Sequence, residues 1–405
     1  MENVEVSTPG QAACPACGAP DAMEFLRWAG VPVNSCLLLD DEDEARSFPR
    51  GDLRLEWCSR CGFAYNAEFD PEANEYSARY EETQGYSPRF REFADELARR
   101  WVKRHGLEGR HVVEIGCGKG EFLAAMVRAG AGSGVGVDPG VHPERIDEDV
   151  TDRLDWVRGF FPDDLLDLSG ADAVVCRHTL EHIGPVADFL ADLRRAIGDR
   201  RDTAVLFELP DTLRVLREGA FWDTYYEHCS YFTAGSLVRL FRRCGFDVLD
   251  VSYAYDGQYL VLEARPADIP APEPDRRLPL EDDLAAVEEA VSHFRSTHQQ
   301  MTRRWRSVVR KVSTDGGTVA LWGGGSKAVA FLAALGDDAA AVGAVVDINP
   351  HKTGKYIAGA GHRVIEPVEL KQMDPTLVVV MNPVYVDEIG AQLASMGLHP
   401  TIEAL

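Results

Sequence analysis

The segment from Val112 to Phe122 constrains the fold most, because it places three closely spaced glycines between a strand-like run and a helix-like run. Val113 and Ile115 are typical of a buried strand, and the residues after Gly120 have the apolar spacing of a helix. Glycines at such a turn let the backbone approach a ligand closely, because no Cβ atom stands in the way. The segment predicts a strand–turn–helix unit with a ligand at the turn.

Strands and helices alternate after this turn and again near the end of the chain. This alternation predicts an α/β protein with a doubly wound sheet. A second unit of the same kind begins at 318–322, where a strand leads into Gly323-Gly324-Gly325 and a helix from Lys327. The other predicted elements are strands at 111–115, 133–138, 172–176, 203–208 and 344–347, and helices at 88–105, 120–129, 185–197 and 281–311.

Two CxxC pairs lie in the N-terminal part of the chain, and each is followed by glycine. Four thiolates from two such turns form a closed tetrahedral zinc site, which is structural because it leaves no open position for catalysis. A redox role for one pair is the alternative. Cys36 is predicted to be a small buried side chain rather than a further ligand. The predicted zinc ligands are Cys14, Cys17, Cys58 and Cys61.

A chain of 405 residues is long enough for several domains. The five prolines between Arg265 and Pro279 indicate a linker, because proline interrupts both helices and central strands. We predict a zinc-binding module at 1–70, an α/β domain at 71–265, a linker with a long helix at 266–315 and a second Rossmann-like lobe at 316–405.

The net charge of −24 disfavours binding to nucleic acid, which proteins contact through clustered Lys and Arg. Anionic small molecules remain possible partners, because helix N-termini and single basic side chains bind them. No stretch has the roughly 18 apolar residues of a membrane span, and the N-terminal residues include no apolar leader. We therefore expect a cytoplasmic protein without membrane contact, and a monomer is compatible with the sequence.

The glycines after Ile115 have the spacing GxGxG, which differs from the GxGxxG of dinucleotide-binding folds and from a P-loop. With Asp138 at the end of the next strand, the segment resembles motif I of class I S-adenosylmethionine (SAM)-dependent methyltransferases, and Glu114 occupies the family's acidic position. Asp138 can accept hydrogen bonds from both ribose hydroxyls. The residues expected to bind SAM are Tyr86, Glu114, Gly116, Cys117, Gly118, Gly120, Asp138, Phe160, Phe161, Arg177 and His178.

The loop after strand 172–176 contains the sequence LEHI, which is common in the same superfamily and lies there beneath the methyl donor. His182 of this loop is expected either to face the substrate or to cap the loop. Phe160 and Phe161, with Asp163, fall where such enzymes usually hold the adenine ring. A pair of core aromatic residues is the alternative.

The run Tyr225-Tyr226-Glu227-His228-Cys229-Ser230-Tyr231-Phe232 combines a histidine, a carboxylate and several phenols. Histidine has a pKa suited to general-base catalysis, although such a run is also compatible with a polar loop edge. With a methyl donor predicted, the run closely resembles the YHEHxSYF signature of deoxysugar C-methyltransferases. Members of that family combine a four-cysteine zinc module, a SAM domain and a C-terminal Rossmann-like lobe.

This resemblance implies that His228 is the general base, with Glu227 as its partner. Glu227 and Tyr225, together with Tyr76 or Tyr80, are implied to hold the sugar. The base would remove a proton beside a ketone, and the resulting enolate would attack the sulfonium methyl group. The expected function is C-methylation of a nucleotide-linked (dTDP) keto-deoxysugar in natural-product biosynthesis. The alternatives are an O- or N-methyltransferase on a small molecule and an inactive zinc-containing binding protein.

The C-terminal loop from Gly323 to Ala328 matches GxGxxA, so a dinucleotide site is one interpretation of this lobe. The family resemblance instead implies that the lobe holds the nucleotide part of the substrate, and a purely structural lobe is a third interpretation. The residues expected to bind substrate there are Gly325, Ser326, Lys327 and Tyr385. Tyr226 and the segment 382–385 depart from the family pattern, which predicts a modified acceptor pocket.

Overall fold

A computed structural model describes residues 13–20, 22–74, 76–77, 79–162, 166–268 and 277–405. Asp163 and the larger part of the predicted proline-rich linker lie outside the described residues. The strands are β1 (Ala22–Pro32), β2 (Arg50–Cys58), β3 (Ala64–Asn66), β4 (His111–Ile115), β5 (Ser133–Val137), β6 (Leu154–Val157), β7 (Ala173–Arg177), β8 (Ala204–Pro210), β9 (Ser230–Tyr231), β10 (Phe246–Ala254), β11 (Tyr259–Pro266), β12 (Val319–Trp322), β13 (Val342–Val346), β14 (Val364–Ile365), β15 (Leu377–Val380) and β16 (Thr401–Ala404). The helices are α1 (Glu42–Arg46), α2 (Pro88–His105), α3 (Glu121–Arg128), α4 (Val186–Ile197), α5 (Thr212–Glu218), α6 (Ala234–Arg243), α7 (Leu284–Thr314), α8 (Ser326–Leu335) and α9 (Val386–Ser395).

The middle sheet has the order β10-β11-β8-β7-β4-β5-β6. Strands β4 to β8 are parallel, whereas β10 and β11 are antiparallel to their neighbours. The chain order reverses at β4, so the carboxyl ends of β4, β5 and β7 open onto one crevice, where ligands of such sheets bind. The doubly wound fold predicted from the sequence is confirmed.

The C-terminal sheet is parallel throughout, in the order β14-β13-β12-β15-β16. Its strands β12, β13 and β15 are nearly continuous runs of Val, Leu and Ala with most residues buried, as expected for a parallel sheet between helices. Helix α8 starts directly after the glycines that follow β12. The second strand–glycine–helix unit is therefore confirmed.

The N-terminal sheet is antiparallel and contains a strand from the middle of the chain. Its order is β1-β2-β3-β9, and β9 pairs Ala64 with Tyr231 and Tyr65 with Ser230. Residues of the run 225–232 thus complete a sheet whose other strands lie before residue 70, a contact that the predicted domain boundaries did not include.

Helix α2 illustrates how local sequence positions the elements. Ser87 caps its N-terminus by accepting from the backbone of Phe90, and Pro88 occupies the first turn. Gly106 ends the helix in the left-handed conformation, at φ 61°. The buried stripe includes Leu97 and Trp101, in agreement with the predicted apolar spacing.

Polar contacts hold the C-terminal sheet against the middle sheet. The side-chain amides of Gln258 and Asn382 form two hydrogen bonds, of 2.9 and 3.0 Å. The hydroxyl of Tyr385 bonds Gln84 at 3.0 Å and Tyr255 at 2.7 Å. Together with β9, these contacts bring the three sheets around one cavity.

Within the described residues, no helix is long and apolar enough to cross a membrane.

Candidate active site

A cavity of about 740 Å³ lies between the middle sheet, the C-terminal lobe and the run 225–232. This volume lies within the range of small-molecule sites. Members of all three predicted groups, the SAM-binding, the catalytic and the substrate-binding residues, contribute to its wall. Those lining it are Tyr76, Tyr80, Tyr86, Glu114, Gly116, Cys117, Gly118, Asp138, Phe160, Phe161, Arg177, His178, His182, Tyr225, His228, Gly325, Ser326, Lys327 and Tyr385.

The glycine turn after β4 has the backbone that its sequence predicts. Gly116, Gly118 and Gly120 have φ of 68°, 53° and 84°, a region that residues with a side chain rarely adopt. A Cβ atom on Gly116 would overlap the side chain of Thr179, so the turn also needs glycine for space. Gly120 lies against Trp156 and begins α3 rather than lining the cavity.

Two acidic side chains stand on either side of this turn. Glu114 is 2% exposed, and burial raises the pKa of its carboxyl to about 8. One of its oxygens has no hydrogen-bond partner among the described residues. Asp138 accepts from the backbone of Gly118 at 3.0 Å and of Gly140 at 2.7 Å, which holds its carboxylate at the cavity. Cys117 is buried in the same wall.

The predicted adenine-binding aromatics differ in their surroundings. Phe160 is 61% exposed at the cavity, whereas Phe161 packs edge-on against Phe189 with ring centroids 5.5 Å apart. Phe161 thus also belongs to the core. Tyr86 lies elsewhere in the cavity wall, where its ring centroid is 6.2 Å from that of His351.

The end of β7 is fixed by a buried carboxylate that the sequence did not single out. Glu208 bonds Arg177 at 3.1 and 3.2 Å and His178 at 2.8 Å. Burial raises the pKa of Glu208, but Arg177 and His178 outweigh it and lower the pKa to about 2. Burial lowers the pKa of His178, but Glu181 and Glu208 raise it to about 9. His178 therefore carries a proton at neutral pH.

His228 lies in the cavity wall with its ring beside Tyr225. Its Nε2 is hydrogen-bonded to the Tyr225 hydroxyl at 2.9 Å, and the ring centroids are 4.1 Å apart. Burial lowers the pKa of His228 well below the usual value, and the nearby His182, His178 and Lys327 lower it further. The ring is therefore neutral near pH 7, which is the form that accepts a proton.

The predicted pairing of Glu227 with His228 is wrong. The Glu227 carboxylate is 1% exposed and is hydrogen-bonded to Ser35 and, at 3.3 Å, to Asn34 of the N-terminal module. Successive side chains of this segment point in different directions, so the two neighbours in sequence face different surroundings. Glu227 connects the run 225–232 to the N-terminal module.

His182 and Tyr76 join His228 in the cavity, as expected. The Nδ1 of His182 lies 2.9 Å from the Tyr76 hydroxyl and 3.0 Å from the Glu227 carbonyl oxygen. Because a carbonyl oxygen only accepts, the proton of a neutral His182 resides on Nδ1. The rings of His182 and His228 are 4.7 Å apart, and those of Tyr76 and Tyr80 are 5.2 Å apart.

Tyr226, which departs from the family pattern, points into the N-terminal module. Its hydroxyl bonds the Glu68 carbonyl at 3.2 Å and accepts from the Asp70 backbone at 2.8 Å, and its ring packs on Phe69. The expectation that Tyr226 alters the acceptor pocket is therefore wrong. Tyr385, the other departure, lies at the cavity.

The start of α8 meets the N-terminal module at the cavity. The hydroxyls of Ser326 and Ser35 are 2.7 Å apart, and the Ser326 hydroxyl lies 3.3 Å from the Cys36 sulfur. Lys327 forms a half-buried ion pair with Asp223, and desolvation lowers the pKa of its ammonium group. The Asp347 carboxylate accepts from the backbone of Gly324 at 2.7 Å.

The four cysteines of the two CxxC pairs converge in one cluster. Their sulfur atoms all lie within 4.8 Å of one another, with Cys14 and Cys61 at 3.7 Å and Cys17 and Cys58 at 3.6 Å. Four sulfurs bound tetrahedrally to zinc at about 2.3 Å are about 3.8 Å apart, so this donor set fits the ion. Cys36 is buried at the cavity instead, as predicted.

Comparisons with known proteins match two parts of the chain to described families. A methyltransferase domain matches residues 87–251, and a C-methyltransferase C-terminal domain matches residues 275–399. C-methyltransferase NovU from Streptomyces niveus is 28% identical over 392 residues, which cover 93% of this chain and 90% of NovU.

Other similarities are shorter. Ribosomal protein L11 methyltransferase from Enterobacter sp. (strain 638) is 32% identical over 87 residues, which cover 20% of this chain and 28% of that protein. The crystal structure of N,N-8-amino-8-demethyl-D-riboflavin dimethyltransferase (RosA) from Streptomyces davawensis has a TM-score of 0.37 and 26% identity. That similarity covers 44% of this chain and 54% of RosA.

Proposed function

The protein is a SAM-dependent C-methyltransferase of the class I fold, and we propose that it methylates the carbon beside the ketone of a nucleotide-linked keto-deoxysugar, with His228 as general base. The observation that carries this proposal is the position of a neutral, buried His228 in the same cavity as the glycine turn and the start of α8. The resemblance of residues 225–232 to the signature of deoxysugar C-methyltransferases supports the choice of substrate.

The donor side of the cavity is built by the turn after β4. SAM, when bound, supplies an electrophilic methyl group on its sulfonium. Gly116 and Gly118 leave room for it at the backbone, and Asp138 offers carboxylate oxygens to ribose hydroxyls. The unpartnered oxygen of Glu114 faces the same space and suits a cationic or hydrogen-bond-donating group.

On the acceptor side, His228 would take the proton from the carbon beside the ketone. The carbon–hydrogen bond breaks, its electron pair passes into the enolate, and the proton moves to the imidazole ring. Burial raises the pKa values of Tyr225 and Tyr76 well above the usual value, so both phenols stay protonated. They are therefore available as hydrogen-bond donors to the enolate oxygen.

The nucleotide part of the acceptor would lie against the C-terminal lobe. Gly325 and Ser326 place the N-terminus of α8 at the cavity, and helix N-termini bind phosphate groups. The ammonium groups of Lys327 and Lys352 lie in the same wall, each paired with a carboxylate, and offer N–H donors to a phosphate group. The Asp347 carboxylate is already paired with Lys352 and the Gly324 backbone, which favours a substrate-holding role over a dinucleotide site.

We further propose that the four-cysteine cluster binds one structural zinc ion. The fit of the sulfur–sulfur distances supports it, as does the burial of Cys14, Cys58 and Cys61. The ion would hold the two CxxC turns that flank β1 and β2.

The test is incubation with isotope-labelled SAM and a panel of nucleotide-linked keto-sugars, read by mass spectrometry and by NMR of the product methyl group. We expect label on carbon for at least one sugar. The His228→Gln variant should bind SAM normally but lose both turnover and solvent deuterium exchange at the acceptor carbon. A product methyl group on oxygen or nitrogen, or unchanged exchange in His228→Gln, would contradict the proposal.

A further inference from the structure

Glu181 has a buried carboxylate oxygen that forms no hydrogen bond within the described residues. The residue lies in the short 3-10 turn Leu180–His182 that follows β7, is 3% exposed and lines the cavity. Its other oxygen lies 3.5 Å from Nδ1 of His178. A buried carboxylate oxygen without a partner is costly, so its position at the cavity indicates a partner that arrives during the reaction.

The nearest candidates for that partner are two histidine rings. A carboxylate oxygen of Glu181 and one ring nitrogen each of His182 and His228 all lie within 4.8 Å of one another. His182 uses its Nδ1 for Tyr76 and the Glu227 carbonyl. His228 uses its Nε2 for Tyr225. Glu181 thus lies within Coulombic range of the proposed base without being its hydrogen-bond partner in the resting enzyme.

A buried His228 that has taken a proton requires a negatively charged neighbour. When His228 takes a proton it becomes a cation in a buried site, where an uncompensated charge is unfavourable. Glu227 cannot compensate it, because its carboxylate is turned to Asn34 and Ser35. The titratable and charged groups around His228 are Tyr225 and Tyr231 on its own segment, His178, Glu181 and His182 after β7, and Lys327 at the start of α8.

We propose that Glu181 is the positioning residue that compensates the charge of His228 while the acceptor is an enolate. The inference rests on the proposed function, since it assumes that His228 removes the proton. The proton moves from the acceptor carbon to His228 without passing through Glu181, and it leaves His228 for solvent after methyl transfer. Glu181 thereby takes the role that the sequence assigned to Glu227.

The experiment compares Glu181→Gln, Glu181→Asp and Glu227→Gln in the full-length protein with an accepted keto-sugar. Glu181→Gln should lower kcat by about 100-fold while KM for the acceptor and Kd for SAM change less than about threefold. Solvent deuterium exchange at the acceptor carbon should slow by the same factor as kcat. Glu181→Asp, which keeps the charge, should recover most of the loss.

The pH profile separates this role from a structural one. Loss of the negative charge disfavours the protonated ring, so the acidic limb of the kcat profile should move to lower pH in Glu181→Gln but not in Glu227→Gln. An unmoved limb together with unchanged kcat would overturn the inference. If His228→Gln retains exchange, the proposed base is wrong; if it abolishes exchange while Glu181→Gln stays active, only the role of Glu181 is wrong.

Discussion

The hydroxyl of Ser35 hydrogen-bonds the carboxylate of Glu227, although the two residues are 192 positions apart in the sequence. Ser35 belongs to the loop between β1 and α1, and Glu227 precedes β9, so this bond joins the N-terminal module to the segment that carries the proposed base. The same serine lies 2.7 Å from the Ser326 hydroxyl at the start of α8. One side chain thus touches all three parts of the protein.

Ser35→Ala should destabilise the protein, because it removes a hydrogen bond to a fully buried carboxylate. We expect the free energy of unfolding to fall by about 1–3 kcal/mol, measured by urea denaturation. SAM affinity should not change, since neither Ser35 nor Glu227 lines the cavity beside the turn after β4. Ser292→Ala, on an exposed position of α7, is the matched control and should leave stability unaltered. Equal stability of the two variants would argue against this contact.

Tyr225→Phe removes the hydroxyl that contacts Nε2 of His228 while retaining the ring packing. The imidazole loses one of the groups that orient it, so kcat should fall by about tenfold or more. Calorimetric SAM binding is expected to match the wild type. Tyr253→Phe, at an exposed tyrosine of β10, serves as the control. Full activity of Tyr225→Phe would show that this phenol does not orient the base.

The Glu208 carboxylate should make stability depend on acid pH. Its pKa is about 2 in the folded protein against an ordinary value of 4.5, so its contribution is complete above about pH 4.5 and is lost as pH falls toward 2. The loss should be on the order of 3 kcal/mol, since each pKa unit corresponds to about 1.4 kcal/mol. Urea titrations from pH 6 downward measure it.

Glu208→Gln should lack this acid-dependent loss but should be less stable than the wild type at pH 6. Removing the carboxylate leaves the buried Arg177 and the half-buried His178 without their shared partner. Glu148→Gln, at an exposed position, is the control and should retain the wild-type pH dependence. A Glu208→Gln variant that is as stable as the wild type would contradict the predicted role.

Gly116→Ala should abolish SAM binding. The positive φ and the overlap with Thr179 both oppose a side chain there, so the turn must move. Gly170→Ala is the control, because a Cβ atom at Gly170 would meet nothing within 4 Å. Calorimetry should show binding for the control alone, and a Gly116→Ala variant that binds SAM normally would show that the turn does not form the donor site.

Removal of the proposed zinc should abolish turnover while SAM binding is retained. Metal analysis is expected to find one zinc per chain, and Cys58→Ser should lose it. Cys244→Ala, which removes a thiol from a different part of the core, should keep the metal. A metal-free protein with normal turnover would contradict the structural role.

Local patterns predicted most of the fold, because strands such as β4 and helices such as α2 are encoded in adjacent residues. The C-methyltransferase assignment is likewise confirmed by the comparisons. It was predictable because its motifs are contiguous in the sequence. The surroundings of Glu227 could not be predicted, because Asn34 and Ser35 reach it across almost two hundred residues. Glu181 is the glutamate of the LEHI motif, but the motif does not show that one of its carboxylate oxygens lacks a partner. That becomes evident only when β7 and the run 225–232 are brought together.

The pairing of β9 with β3 restricts how related enzymes can be recombined. A chimera that exchanges residues 1–70 alone would match one parent's sheet edge with the other parent's strand, at Ala64–Tyr231 and Tyr65–Ser230. Functional recombinants should therefore inherit residues 225–232 and the N-terminal module from the same parent. In evolutionary terms, we expect the N-terminal module and the run 225–232 to be inherited as a single unit despite their separation along the chain.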